Sequence, residues 1–139
     1  MAISDLLPRK AMGSKTRGQT LHDRLDYDQK KEKTEDGELV SSYMCCPETA
    51  AEEFEMSKLI YETSTGRSQP KDRDIIAYRI IQSFKPGEIT PEEANKLGYE
   101  LAMKFTKGKH QFIVSTHVDK AHIHNHVEFN STNLECDGK

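Results

Sequence analysis

The sequence contains no tryptophan, few other aromatic residues and no long hydrophobic run. Of its 139 residues, 35% are hydrophobic, 7% are aromatic and 31% are charged. An average globular domain is about 45–50% apolar with glycine included, so we expect one modest core and several solvated loops. No stretch approaches the roughly 18 apolar residues of a membrane span, and Asp5 and Pro8 interrupt the short apolar segment after Met1. These absences argue against an integral membrane protein and predict a cytoplasmic one.

Cysteine is also scarce. The three cysteines are the adjacent pair Cys45 and Cys46, and Cys136 near the end of the sequence. This odd count lacks the paired spacing of a disulfide framework or a zinc ribbon. We therefore expect reduced thiols.

Positive charge is not in excess over the whole chain. Twenty Lys and Arg against 23 Asp and Glu give a formal net charge of −3, which argues against a protein that coats nucleic acid without specificity. Residues 1–31 nevertheless hold seven basic and four acidic residues, a charge of +3, which leaves −6 for the remainder. A polyanionic partner is therefore expected to meet the N-terminal part first.

Hydrophobic periodicity and capping signals predict a single domain, residues 1–139, with the element order β-α-β-α-β-α-β-β. The third helix opens with Thr90 and Pro91, and its buried stripe is expected to be formed by Ala94, Leu97, Leu101 and Phe105. The predicted elements are strands at 2–7, 39–45, 74–84, 110–118 and 122–130, helices from about residue 20, at 47–65 and at 91–107, and a turn at 119–121. The fold class is α+β, with an antiparallel sheet of about five strands and helices packed on one face.

Histidine is concentrated near the end of the sequence, where five of the six histidines lie between residues 110 and 126. Because alternate residues of a strand share a face, His122, His124 and His126 point the same way. If the last two strands pair so that His117 lies opposite His122, then Ser115 lies opposite His124 and His117 joins the same face. The sequence thus predicts up to four imidazoles on the sheet face away from the helices.

Neutral imidazoles are good metal ligands, and three of them leave coordination positions for a substrate, as in a catalytic metal site. A polar sheet face with hydrogen-bonded histidines is the structural alternative. Asp119 could orient a ligand as an outer carboxylate or be an ordinary turn residue. Glu128 lies on the same face as the histidines and could either bind the metal or be solvated.

The segment from His117 to Asn130, HVDKAHIHNHVEFN, resembles the third motif of DNA relaxases of the MobA/VirD-like mobilisation family. Asp26-Tyr27 followed by Lys33-Thr34 resembles the first motif, and the segment 82–88, QSFKPGE, resembles the second. These relaxases belong to the histidine–hydrophobe–histidine (HUH) endonucleases, although the middle residue here is the polar Asn125. Relaxases of this family continue well beyond the third motif, so we expect residues 1–139 to be the N-terminal part of a longer protein.

The resemblance implies that His117, His124 and His126 bind a divalent metal and that Tyr27 attacks a DNA phosphate, with Ser83 contacting the DNA beside the nick. It implies Mg or Mn in function, whereas three imidazoles also suit Zn or Ni, which a crystal could contain. His122 is the surplus histidine, for which we consider a catalytic acid, base or hydrogen-bonding role, as we do for Asp119. For Tyr27, the alternative is that it caps the first helix.

The implied partner is single-stranded DNA at an origin of transfer of a plasmid or integrative conjugative element, together with an accessory relaxosome protein and a secretion coupling protein. The candidate phosphate-binding residues are Arg9, Lys10, Lys15 and Arg17. Two other functions stay open. The chain could be a metal-stabilised origin-binding module that does not cut, or a replication initiator or transposase of the same superfamily.

Overall fold

The backbone alternates strands and helices in the order that the periodicity predicts. A computed structural model describes residues 2–3, 6–11, 14–35, 37–119 and 122–138. Its strands are β1 (Ala2–Ile3), β2 (Leu7–Lys10), β3 (Val40–Tyr43), β4 (Ile75–Ser83), β5 (Phe112–His117) and β6 (His124–Asn130), and its helices are α1 (Arg17–Asp28), α2 (Ala50–Thr65) and α3 (Pro91–Thr106). The predicted first strand, 2–7, corresponds to β1 and the start of β2, and its Ser4 and Asp5 lie outside the described residues, as do Lys120 and Ala121 of the predicted turn.

Local signals account for the ends of the helices. Thr16 begins α1, three residues earlier than predicted, through a capping box in which its hydroxyl accepts from the Gln19 N–H. Thr90 begins α3 as its N-cap residue, and its hydroxyl accepts from the Glu93 N–H. Gly66 ends α2 with a φ of 71°, a left-handed conformation that glycine adopts without strain. In the described ranges, no helix combines the length and the apolar character needed to cross a membrane.

All strands belong to one antiparallel sheet with the order β1-β4-β6-β5-β3. The short strands β1 and β2 both pair with β4, at Gln82–Ser83 and at Ile75–Arg79 respectively. Because β6 occupies the other edge of β4, β1 and β2 share one position, and the sheet is five strands wide. The predicted α+β class and five-stranded antiparallel sheet are confirmed.

The register of the last hairpin differs from the prediction by two residues. His117 lies opposite His124 rather than His122, and Ser115 lies opposite His126. The strand β5 ends at His117, since the next N–H, that of Val118, donates to the carbonyl of Lys33 at 2.8 Å instead of continuing the ladder. A shift of two residues keeps every side chain on its predicted face, so the grouping of the histidines survives the change.

The helices divide between the two faces of the sheet, unlike the prediction that they share one face opposite the histidines. Leu21 and Leu25 of α1 and Phe54 of α2 pack with Ile113 of β5, which is on the face of His117. On the opposite face, Val114 belongs to a second core cluster with residues of α3. Because consecutive residues of β5 are apolar, both faces of the central strands must be covered. The histidine site therefore lies on the sheet face that α1 and α2 cover.

Helix α3 approaches the sheet mainly through small residues, and of the predicted stripe Ala94 is buried and Leu101 packs against the core. Its buried positions are Ala94, Gly98, Ala102 and Thr106, whereas 37% of Leu97 and 51% of Phe105 are exposed. A Cβ atom at Gly98 would lie 2.6 Å from Asn125 Nδ2 and 2.7 Å from Val114 Cγ1. The close approach of helix and sheet thus depends on the absence of a side chain at this position, a property that periodicity of large apolar residues does not reveal.

We expect Gly98→Ala to lower the free energy of unfolding by about 1–3 kcal/mol, the usual cost of overpacking a core. In an uncrowded helix the same change stabilises by roughly 0.5–1 kcal/mol, so the sign of the effect is diagnostic. Urea unfolding at pH 7 measures it, with Glu100→Ala on the exposed face of α3 as the control. A Gly98→Ala protein more stable than the wild type would contradict the close packing.

Candidate active site

Three histidines from the two central strands form a compact cluster. One ring nitrogen from each of His117, His124 and His126 lies within 4.8 Å of the others. The ring centroids of His117 and His126 are 4.1 Å apart, and that of His124 is 5.1 Å and 5.0 Å from them. His117 and His124 are buried, and 12% of the His126 side chain is exposed. The structure thus brings together the three histidines that the sequence singles out as metal ligands.

The environment of the cluster favours the neutral form of His124 and His126. Burial, followed by the proximity of His117, lowers the pKa of His124. Burial, followed by His117 and His124, lowers the pKa of His126 to about 3. Histidine must be neutral to offer a lone pair to a metal, and the Nδ1 atoms of His124 and His126 are buried without a hydrogen-bond partner among the described residues. The donor set therefore fits a divalent cation.

The third imidazole is oriented by the end of α1. His117 Nε2 lies 2.7 Å from the carbonyl oxygen of Asp28. A carbonyl only accepts, so Nε2 carries the hydrogen and the lone pair is on Nδ1. This is the kind of outer hydrogen bond that fixes the tautomer and ring orientation of metal-binding histidines.

Asp28 is a site residue that the sequence analysis missed. It is 1% exposed, its Oδ1 lies 3.6 Å from His126 Nδ1, and neither carboxylate oxygen has a hydrogen-bond partner within the described ranges. Burial and the nearby charge of Glu128 raise the pKa of Asp28, against the opposing effect of Arg9 and neighbouring arginines. In the sequence, Asp28 is one acidic residue in a polar run, and no pattern distinguishes it.

Tyr27 lies in the last turn of α1 and faces the histidine cluster. Its ring centroid is 6.5 Å from that of His117, and 41% of the residue is exposed. The helix continues past Tyr27 to Asp28, and its C-cap residue is Gln29. The alternative that Tyr27 caps the helix is therefore wrong, and a rigid element holds the phenol. Tyr27 and the cluster line a cavity of about 260 Å³, whose lining residues are Tyr27, Lys33, Ile81, Ser83, His117, His122, His124 and His126.

Two other predicted site residues meet at this cavity. Ser83 ends β4 directly opposite His124. His122 precedes β6, is exposed and has its ring centroid 5.6 Å from that of His124. It is outside the group whose ligand atoms converge. The structure thus places His122 at the cavity without placing it in the cluster.

Asp119 pairs with a lysine rather than with a histidine. Its Oδ2 lies 2.7 Å from Lys33 Nζ, and this lysine lowers the pKa of Asp119. Lys33 Nζ is in turn 5.3 Å from the centroid of the Tyr27 ring. Lys30 Nζ and the Arg24 guanidinium lie 5.2 and 5.8 Å from the same centroid. The phenol is therefore surrounded by positive charge.

Arg9 and Glu128 bind each other beside the cluster. Arg9 Nη2 donates to Glu128 Oε1 at 2.8 Å and Arg9 Nε donates to the same atom at 3.1 Å. Glu128 is 2% exposed. Glu128, a candidate metal ligand, is thus paired with Arg9, a candidate DNA-binding residue.

The other candidate DNA-binding residues differ in their availability. Arg17 is committed to acidic partners, with Nη2 2.6 Å from Glu62 Oε1. Lys15 pairs with Asp23 at the surface, where an ion pair contributes little and exchanges easily. Lys10 is exposed. In this structure Lys10 and Lys15 are better placed than Arg9 and Arg17 to reach a phosphate.

The polar middle residue of the His-Asn-His segment is explained by the opposite face of the sheet. Asn125 is fully buried, and its Nδ2 donates to Gln82 Oε1 at 2.8 Å and to the carbonyl of Ala94 at 2.7 Å. The Thr116 hydroxyl donates to its Oδ1. With its hydrogen-bonding groups satisfied, an amide replaces the expected hydrophobic residue at little cost.

Residues 22–139 match the family model described as "Relaxase: MobA/VirD2-like, nuclease domain". The chain belongs to this family. The resemblance that the three motifs indicate is confirmed, and with it a relaxase-type nuclease domain.

Named relatives agree with this membership. The relaxase domain is 42% identical over 99 residues to "Protein rlx" of Staphylococcus aureus, covering 71% of this chain and 29% of that protein. It is 40% identical over 81 residues to "Group II intron-interrupted relaxase LtrB" of Lactococcus lactis subsp. cremoris, covering 53% of this chain and 14% of that protein. The chain thus spans less than a third of the length of these relatives. No solved structure gives a significant match.

Proposed function

We propose that this relaxase domain nicks one strand of DNA at an origin of transfer by tyrosine transesterification. The observation that carries the proposal is the position of Tyr27, whose exposed phenol lines the same cavity as the three convergent histidines. A nucleophile on a rigid helix end, a metal-type donor set and an open cavity are the parts that a phosphoryl transfer needs.

In the proposed reaction, the Tyr27 hydroxyl oxygen attacks the phosphorus of a phosphodiester. A new bond forms between that oxygen and phosphorus while the bond from phosphorus to the 3′ oxygen breaks. The phenol loses its proton and the departing 3′ oxygen gains one. One phosphodiester replaces another, so the strand stays joined to the protein through a 5′-phosphotyrosine, and a 3′ hydroxyl can reverse the step.

The histidine cluster is proposed to hold the metal that this reaction requires. A phenol has a pKa near 10 and is ionised in only about one molecule in a thousand at pH 7, so it is a weak nucleophile without help. A divalent ion bound by His117, His124 and His126 supplies Lewis acidity toward the phosphate oxygens. We propose Mn or Mg as the ion in function, with Zn or Ni as further ions that the imidazoles accept.

The proposed substrate is single-stranded DNA, with Ser83 beside the reacting phosphate and Lys10 and Lys15 as outer phosphate contacts. Residues 1–139 would serve as the nicking domain of a longer relaxase. That protein would act in the bacterial cytoplasm with an accessory relaxosome protein and a secretion coupling protein. Asp119 and His122 stay candidates for an acid, base or positioning role.

The test is a covalent adduct. The protein is incubated with labelled single-stranded DNA from the origin region of its own mobile element, with and without Mn²⁺, and run on a denaturing gel. We expect a slowly migrating labelled protein band that requires the metal, is abolished by a chelator and returns when Mn²⁺ is restored.

Other outcomes would contradict the proposal. Tight metal-dependent DNA binding with no adduct would favour the non-cutting origin-binding module. An adduct on a residue outside the cavity would indicate the chemistry of a replication initiator or transposase. Nicked DNA with free 5′ phosphate and no protein attached would indicate hydrolysis.

A further inference from the structure

We propose that Lys33 stabilises the negative charge that builds up on the Tyr27 oxygen during strand transfer, and that Asp119 positions Lys33 for this role. The inference deepens the proposed function and rests on it. It assigns to Lys33 a place in the chemistry of the site, and it gives Asp119 a purpose other than orienting a histidine.

The backbone of Lys33 is fixed to the end of the histidine strand. Its carbonyl accepts from the Val118 N–H at 2.8 Å, directly after His117. The next residue, Thr34, is fully buried, and its carbonyl accepts from the Leu39 N–H at 3.1 Å. These two hydrogen bonds therefore fix the backbone of Lys33 beside the end of β5, next to His117.

The side chain is fixed as well. Lys33 Nζ lies 2.7 Å from Asp119 Oδ2, and only 16% of the lysine side chain is exposed. The same Nζ is 5.3 Å from the Tyr27 ring centroid, and Lys33 lines the cavity together with Tyr27 and the histidines. The Lys33–Asp119 ion pair therefore lies between Tyr27 and the end of β5, which carries His117.

Lys33 keeps its charge at neutral pH. The hydrogen bond that Lys33 donates to Asp119 raises the pKa of Lys33 above its ordinary value, with a smaller contribution of the same sign from the Tyr27 side chain. A fixed cation in a partly enclosed site stabilises developing charge better than water does, because it need not reorganise.

The charge changes in the reaction explain why a cation is useful in both directions. When the phenol attacks, its oxygen passes through an anionic state as the proton leaves. When the 3′ hydroxyl attacks the phosphotyrosine, the same oxygen leaves with the electron pair of its bond to phosphorus. Removing one preorganised group of this kind typically slows a reaction by about 10²- to 10³-fold.

Lys30 provides a matched control within the same molecule. Its Nζ is 5.2 Å from the Tyr27 centroid, so it adds positive charge at a similar distance from the ring. It is exposed and is absent from the residues that line the cavity. Lys30→Met and Lys33→Met thus remove the same charge at similar distances from one phenol ring.

The experiment measures the single-turnover rate of adduct formation with labelled origin DNA and Mn²⁺, together with the dissociation constants for DNA and for Mn²⁺. We expect Lys33→Met to slow adduct formation by about 10²- to 10³-fold and Lys30→Met to slow it by less than threefold. DNA and Mn²⁺ affinities should be the same in the two variants. Lys33→Arg should recover most of the rate, and Asp119→Asn should lose part of it with Mn²⁺ binding intact.

Several results would overturn the proposal. Equal rates for Lys33→Met and Lys30→Met would remove the special role of Lys33, and so would a folded Lys33→Arg protein as slow as Lys33→Met. The thermal unfolding temperature of each variant shows whether a slower rate results from a loss of stability. Lys33→Arg would share such a loss. If the wild-type protein forms no Tyr27-dependent adduct, the proposed function itself fails, an outcome distinct from an adduct whose rate ignores Lys33.

Discussion

Replacing Tyr27 by phenylalanine is expected to abolish the covalent protein–DNA adduct while leaving the fold and the binding of metal almost unchanged. The substitution removes one oxygen from a side chain that is 41% exposed, so little packing is lost. The reaction, by contrast, loses its nucleophile, and losses of several orders of magnitude are usual when that group is removed. The adduct band on a denaturing gel and a single-turnover time course measure the effect.

A second tyrosine serves as the control for the loss of a hydroxyl. Tyr43 packs against Phe112 on the α3 side of the sheet and donates its hydroxyl to the Gly108 carbonyl at 3.0 Å. Tyr43→Phe should lower stability by about 1 kcal/mol and form the adduct at the wild-type rate. A persistent adduct in Tyr27→Phe would show that another residue is the nucleophile, and mapping the attached peptide would identify it.

The sequence predicts most of the secondary structure because its signals are local. The proline and cap before α3, and the glycine after α2, each act within one turn of the chain. Alternation along a strand likewise places His124 and His126 on one face whatever the partner strand is. These predictions do not depend on distant contacts, and the structure confirms them.

The errors arise where long-range contacts decide. The last hairpin shifts by two residues because the Val118 N–H bonds to Lys33, which is 85 positions away in the sequence. Helix α3 turns its small residues to the sheet because Gly98 permits close approach to Asn125. The division of helices between the two faces depends on which core cluster each helix joins. A single sequence carries no direct signal of these pairings.

The site shows the same division. The three histidines and Tyr27 belong to motifs that chemistry makes conspicuous, and the structure brings them together. Asp28 becomes notable only because the fold buries it 3.6 Å from His126. Lys33 belongs to the first motif, but its position at the site is set by the end of β5, where the Val118 N–H donates to its carbonyl. In both cases an ordinary charged residue acquires a distinct environment through tertiary structure.

We expect His124→Ala and His126→Ala each to weaken the binding of Mn²⁺ or Zn²⁺ by more than about 100-fold. Even a change outside the ligand set of a metal site typically lowers metal affinity by about 10- to 100-fold. Each substitution removes one of the three ring nitrogens that converge in the described part of the chain, and two ligands hold an ion poorly. Titration calorimetry with the purified protein measures the affinity directly, and the adduct assay then shows whether cleavage falls in parallel.

His122→Ala is the matched control, because it removes the same side chain from the same cavity outside the convergent group. Intact metal binding with slower cleavage would assign His122 an acid, base or DNA-contacting role. Weaker binding equal to that of His124→Ala would make His122 a ligand. Metal affinity unchanged in His124→Ala and His126→Ala would contradict the metal centre itself, and the cluster would then be a buried polar face whose neutral imidazoles serve the fold.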